Sequence, residues 1–419
     1  MSNLMNNYTL WIIYINIVLY ATCFQIQRPL EPFLVGKLMG DNNEYARLQS
    51  FFSLLQTAGS LISGRLLDLL GIKGGFLVSF GASALCYLLL SQSTDLSILY
   101  VSKIPAIFQA GFLCAQAAIS QITEDGPERV RALGLLTFSY TIGSIIGPTV
   151  GGFLGASGDY YLGAKLAVAG SILSMILTLF MDSNHQKPSK GVENASKGEG
   201  SSTKSGPNYW QIIQAVWLLL ATKVISSVAN SMSASIFPVV LKDVFGLHEK
   251  GVGISMSVMS ACNAVVSGFL LEPIVRMLGG VLSQAIYACI VWMTVLSSFQ
   301  GVLVLPNVTD HSPAHGLYQY LLTAFALSIV QYVLATATTG ESTSRVSDEE
   351  KGTLLGMEHS LFAAARVATP QLGNQIFERG GVAAVSFACA AIYGIITLMW
   401  GTFDLKPAKI EVNTERKEK

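Results

Sequence analysis

Eight ionisable side chains stand inside long apolar stretches of this chain: Arg28, Glu31, Lys103, Lys165, Lys223, Glu358, His359 and Arg366. A charge held in hydrocarbon is costly, so each marks a candidate site. Arg28 and Glu31 stand three apart and could pair on one helix face. Lys103 lies some way into its stretch, whereas Lys165 is close to an end, where a long side chain snorkels to the interface. Lys223 and Arg366 sit deeper and read as substrate contacts or members of a central ion pair. Glu31, Glu358 and His359 are the proton-coupling candidates. Imidazole titrates near neutrality, and desolvation moves a carboxyl toward the same range. Asn230, Asn263, Gln331 and Tyr332 are polar groups of the kind that bond helix to helix. Enzymatic chemistry finds no residues: there is no phosphate-binding glycine loop, no spaced metal ligands and no nucleophile elbow. No cofactor and no metal are expected.

The elements that position these groups follow from hydropathy. Apolar residues make up 51% of the 419 and charged residues only 12%, with a mean hydropathy of +0.50. A span needs about 20 apolar residues. Twelve such stretches fall near 9–34, 46–66, 74–93, 97–122, 131–156, 160–181, 211–241, 251–273, 280–305, 315–339, 353–377 and 381–403. The fold class is therefore an all-α membrane protein with 12 transmembrane helices. The first stretch is too long for a cleavable leader and lacks a basic start, so it reads as a retained span. All six cysteines fall inside spans, which argues against a disulfide framework. Equal numbers of basic and acidic residues, 26 of each, give no footprint for nucleic acid. Lys and Arg gather on one side of the predicted spans, sixteen against five on the other, which predicts both termini in the cytoplasm.

Domain organisation shows in the polar segments. Residues 182–208 are rich in Ser, Gly and Lys and read as a disordered cytoplasmic linker between six-helix bundles at 1–181 and 209–405. Residues 406–419 form a charged cytoplasmic tail. Asn307-Val308-Thr309 lies on the opposite side and is a candidate glycosylation site. The two halves look related. Gly64-Arg65-Leu66-Leu67-Asp68 and its continuation to Gly74 are echoed from Gly268 through Glu272 and Arg276 to Gly280. Gly134, Pro148 and Gly151 match Gly356, Pro370 and Gly373 at one offset. Two such repeats around a central site suit a transporter.

The fifth stretch, Gly134 to Gly152, carries Gly143, Gly147, Pro148 and Gly151 between its ends. Small residues let neighbouring helices approach closely, and a proline bends the helix. This stretch resembles the helix 5 motif of proton-coupled drug antiporters of the major facilitator superfamily, and Gly64 to Gly74 resembles that superfamily's loop motif. Pro127-Glu128-Arg129-Val130-Arg131-Ala132-Leu133-Gly134 and Gly352-Thr353-Leu354-Leu355-Gly356, with Arg366 and Pro370 following, look closest to the organic-cation-transporter-like branch of solute carrier family 22. Tetracycline-exporter-like proteins resemble it more distantly. The resemblance implies two pseudo-symmetric bundles, alternating access, and cavity lining by helices 1, 4, 7 and 10. Arg28, Lys103 and Lys223 would then face the cavity. It also implies an inner latch of Gly64, Asp68, Gly71, Lys73, Arg129 and Arg131, echoed by Glu272 and Arg276. Leu69 and Ile72 depart from the loop motif's usual bases. Lys103 stands where the helix 4 motif has arginine.

The expected activity is secondary transport of a small organic ion or drug by a monomer in the bilayer, driven by exchange with protons. A uniporter or symporter of an organic anion or metabolite, and a transport-inactive membrane adaptor, are the alternatives. Five bases stand in the spans against two acids, Glu31 and Glu358, so the sign of the substrate stays open. The membrane would be the plasma membrane or an endomembrane such as vacuole or lysosome.

Overall fold

The computed structural model describes residues 2–123, 127–181, 209–266, 282–307, 313–346 and 351–402, with residues 269, 273, 274 and 277. The linker 182–208, the tail 406–419, Glu272, Arg276 and most of the sequon at Asn307 lie outside the described residues. So do the side chains of Asp68 and His359.

Everything described is helix or the turns between helices. The first span is not one helix but two, α1 (Ser2–Gln27) and α2 (Glu31–Lys37). Pro29 explains the break, because it has no N–H to give and pushes the preceding residue, Arg28, away from helical geometry. The second and third spans share α3 (Asn42–Ser91), which reverses at Gly71 with φ 68° and ψ 177°. That conformation is open essentially to glycine alone. The loop motif thus needs Gly71 for the turn itself. The fourth span is α4 (Leu96–Lys103), a 3-10 turn over Ile104–Phe108 around Pro105, and α5 (Gly111–Ile122).

The fifth and sixth spans are α6 (Pro127–Gly155) and α7 (Leu162–Leu179). In the second half, α8 (Tyr209–Val239) ends in a π-turn at Val240–Val244 and α9 (Glu249–Val265) forms the eighth span. They are followed by α10 (Leu282–Asn307), α11 (Pro313–Ser344) and α12 (Lys351–Thr402). α12 holds the last two spans, folded at Gly380 and Gly381. Among the described residues nine helical segments are long and apolar enough to cross a membrane. Twelve spans are recovered once the second, with its more polar sequence, the eighth, described over Glu249–Val265, and the two halves of α12 are counted.

The glycines of α6 set how the helices meet. A Cβ at Gly143 would stand 2.5 Å from Cβ of Ala21, and one at Gly151 only 2.2 Å from the carbonyl oxygen of Ile26. Only glycine permits that approach of α6 to α1. The matching glycine of the second half sits at the matching crossing, less tightly: a Cβ at Gly373 of α12 would meet the carbonyl oxygen of Met232 in α8 at 3.2 Å. Span 5 rests on span 1 as span 11 rests on span 7, so the repeat read from Gly151 and Gly373 is a repeat of packing.

Candidate functional site

The interior charges fall into two sorts, paired and unpaired. Lys103, the last residue of α4, forms an ion pair with Glu31, the first of α2. Both helix ends favour the charge they carry. Gln49 of α3 donates to the second carboxylate oxygen of Glu31, and the Lys103 ammonium lies 5.6 Å from the centre of the Phe52 ring. This cluster ties spans 1, 2 and 4 together. Lys223 of α8 reaches Glu358 of α12 at 2.5 Å, with both side chains only 4% exposed. The Lys223 ammonium also donates to Ser342 Oγ at 3.3 Å, and that hydroxyl donates to the other Glu358 oxygen at 3.0 Å. Spans 7, 10 and 11 are joined here.

One expectation is corrected by this geometry. Arg28 does not pair with Glu31: the helix breaks between them, and Glu31 turns to Lys103 and Gln49. Lys103 and Lys223 are each paired with a glutamate inside helix contacts. Lys165, expected to snorkel, is exposed and meets Asp159 at 3.1 Å near the end of its span. That hydrogen bond holds the Asp159 carboxyl below its ordinary range.

Arg28 and Arg366 are the other sort. Neither forms an ion pair or hydrogen bond through its side chain among the described residues, and both remain exposed. Arg366 belongs to span 11, yet its electrostatic neighbours are Arg28 of span 1 and Tyr140 of span 5. Tyr140, which the charges alone could not single out, packs edge-on to Phe112 with ring centres 5.4 Å apart.

The same junction is shut at one end. Thr149 and Ser257 bond through their hydroxyls at 2.7 Å, and Tyr160 donates to Glu249 at 2.7 Å. Asn42 donates to Asp243, and Asn374 to Asn43, both at 2.9 Å. Lys242 reaches the carbonyl oxygen of Pro32 at 3.1 Å and lies over the Phe33 ring. Two glycines seal the crossing of α6 and α9. A Cβ at Gly152 would come within 2.6 Å of the Glu249 carbonyl oxygen, and one at Gly253 within 2.3 Å of that of Pro148. Gly155 likewise faces the Glu249 side chain, while Gly134, at the other end of α6, meets nothing within 4 Å.

Every hydrogen bond between the halves among the described residues lies at this end, away from Ser2 and Tyr209. At the other end Lys73 donates to the carbonyls of Leu179 and Met181 at 2.8 and 3.2 Å, capping α7 within its own half. Arg129 donates to Ser120 and Thr123 carbonyls of the same half, and Arg131 is exposed. The glue reading holds for Asn263, which exchanges hydrogen bonds with Ser328 at 2.9 and 3.0 Å, and for Gln331 with Tyr393 at 3.0 Å.

Charges gathered inside a bundle of membrane-length helices, at a junction shut at one end, define a multi-pass membrane transporter. The chain matches the Major Facilitator Superfamily over residues 13–309 and belongs to that family. Solute carrier family 22 member 18 of Mus musculus is 25% identical over 397 residues, 92% of this chain and 91% of its own. Tetracycline resistance protein, class H, of Pasteurella multocida is 28% identical over 275 residues, 64% of this chain and 68% of its own. The crystal structure of a peptide transporter in complex with sulfate superposes with a TM-score of 0.75 at 13% identity, covering 93% of each chain. At that identity the likeness is one of fold.

Proposed function

We propose that this chain is a proton-coupled secondary transporter that moves a small organic ion by alternating access. The observation that carries the reading is the junction itself, sealed at one end by Gly152, Gly253 and the polar contacts around them, with buried ion pairs held inside each half. Bundles at 1–181 and 209–405 rock about that centre, joined by residues 182–208. With both termini in the cytoplasm, the sealed end is the outer one. The latch of Asp68 with Arg129 and Arg131, and its echo at Glu272 and Arg276, engages at the inner end as that end closes.

Glu31 and Glu358 are the groups that take up the proton. The sense of coupling follows from electrostatics. A cation competes with protons for a carboxylate, so it exchanges against them. An anion binds better once a glutamate is protonated and its lysine is released, so it travels with them. The test is uptake by purified protein in proteoliposomes, offered matched organic anions and cations with and without an imposed pH gradient. Uptake that responds to the gradient, in either sense, is expected. Uptake that ignores it removes proton coupling. Absence of uptake for the whole panel favours the transport-inactive adaptor.

A further inference from the structure

A buried carboxylate that takes up a proton needs a neighbour able to reverse its hydrogen bond. The ionised acid only accepts, whereas the neutral acid must also donate its new O–H. Glu358 has two partners among the described residues, and they differ in this respect. Lys223 holds one carboxylate oxygen at 2.5 Å, and an ammonium has donors but no lone pair. Ser342 Oγ donates to the other oxygen at 3.0 Å, and a hydroxyl carries one donor and two acceptor sites. Ser342 is fully buried, so water cannot stand in for a partner it lacks.

The surroundings of Ser342 supply a second place for its own hydrogen. The carbonyl oxygen of Thr339, one turn back on α11, lies 3.1 Å from Oγ, and the Lys223 ammonium lies 3.3 Å from it. With Glu358 ionised, the hydroxyl donates to the carboxylate and accepts from Lys223, and one lone pair stays idle. With Glu358 neutral, the hydroxyl turns to the Thr339 carbonyl, and its two lone pairs receive the ammonium and the acid O–H. Both states are satisfied, and only a hydroxyl hydrogen has to turn. One proton is added to the Glu358 oxygen facing Ser342, and the pair goes from neutral to a single positive charge. The other charges on the packed elements are few. α8 carries no charge but Lys223. Glu341 and Arg345 of α11 bond each other at 2.6 Å, and Glu341 also accepts from Ser283 of α10. On α12 stand Arg366, two turns further along, and Lys351 and His359, whose side chains lie outside the described residues.

We infer that Ser342 is the positioning residue that lets Glu358 take up and release a proton beside Lys223, by turning its hydroxyl between the carboxyl group and the Thr339 carbonyl. This rests on the reading above that Glu358 takes up the proton, and it adds the group that makes the uptake reversible.

The experiment is infrared difference spectroscopy of the full chain in lipid nanodiscs as the pH is lowered, with the proton as the only ligand. A carboxylic-acid carbonyl band that grows in, and that Glu358→Gln removes, reports protonation of Glu358. Ser342→Ala leaves the acid O–H without its acceptor, so the band is expected to move to higher frequency. Ser342→Thr keeps a hydroxyl and should hold the band at its wild-type position. Thermal unfolding midpoints that match the wild type show that a moved band is not a lost fold. If Ser342→Ala does not fold, Ser342→Cys, whose sulfur is a weaker acceptor, carries the same test with a smaller shift in the same direction. A Glu358 band that stays in place when the hydroxyl is removed overturns the inference and leaves Glu358 as the proton carrier. A band moved equally by the Ala and Thr variants also overturns it, because packing and not the hydroxyl would then be responsible. Absence of any Glu358 band down to the pH at which the protein unfolds removes proton uptake at Glu358 itself, and the role of Ser342 with it.

Discussion

Lys223→Met is expected to destabilise the protein by about 3–5 kcal/mol, the cost of leaving a buried charge without its partner. The ammonium of Lys223 and the carboxylate of Glu358 are both 4% exposed, and among the described residues Ser342 is the one other group bonded to each. Removing the lysine strands an acid that a serine hydroxyl cannot neutralise. Removing both charges is a different matter. Replacing a buried pair with apolar residues of similar volume is often neutral or stabilising, so Lys223→Met combined with Glu358→Leu should recover most of the lost midpoint. The stable double variant should also lose any response of uptake to the pH gradient that depends on Glu358. Unfolding midpoints in detergent for wild type, single and double variants check the first point. A single variant as stable as wild type would mean that the pair contributes no net charge–charge interaction.

Gly152→Leu is expected to reduce transport at least tenfold while leaving each half folded. The Cβ position of Gly152 lies 2.6 Å from the Glu249 carbonyl oxygen and 3.1 Å from the Gly253 Cα, so α6 and α9 touch backbone to backbone. A leucine there holds the two helices apart, and that end of the junction stays open. The clash falls between the halves, unlike the one Gly147→Leu would make with Gln25 inside the first half. Gly147→Leu should therefore lower stability, and Gly152→Leu should chiefly change conformation. A cysteine placed at Ser257, now bonded to Thr149, reports the difference. It should react with a water-soluble maleimide in the Gly152→Leu background and be protected without it. Full transport by Gly152→Leu would show that closure at this end is not needed.

The fold was readable because its signals are one-dimensional. Lengths of apolar sequence located the spans, and the helix 5 glycines announced close crossings. The sequence did not show where the crossings lead. Gly143, Gly147 and Gly151 pack on span 1, whereas Gly152 packs on span 8, and consecutive residues of one motif thus serve different halves. Helix breaks were harder to see, although Pro29 and Pro105 carried the information for two of them. The site was half legible. Charge in hydrocarbon pointed to the right residues, but pairing depends on distances between spans far apart in sequence, such as the 72 residues between Glu31 and Lys103. The count of five bases against two acids therefore did not reveal which two bases stay unpaired. Tyr140 and Ser342 carry no charge and stood out in no pattern.

The central claim is that the sealed end must open during each cycle. Asn43 and Asn374 meet there across the two halves, with 2.9 Å between their amides. Both are replaced by cysteine in a background whose six native cysteines are changed to serine or alanine. The pair is then bridged by a short bifunctional methanethiosulfonate, and uptake is measured in proteoliposomes before bridging, after it, and after reductant. The account predicts that bridging stops transport and that reductant restores it. Uptake at the full rate by the bridged protein would contradict it.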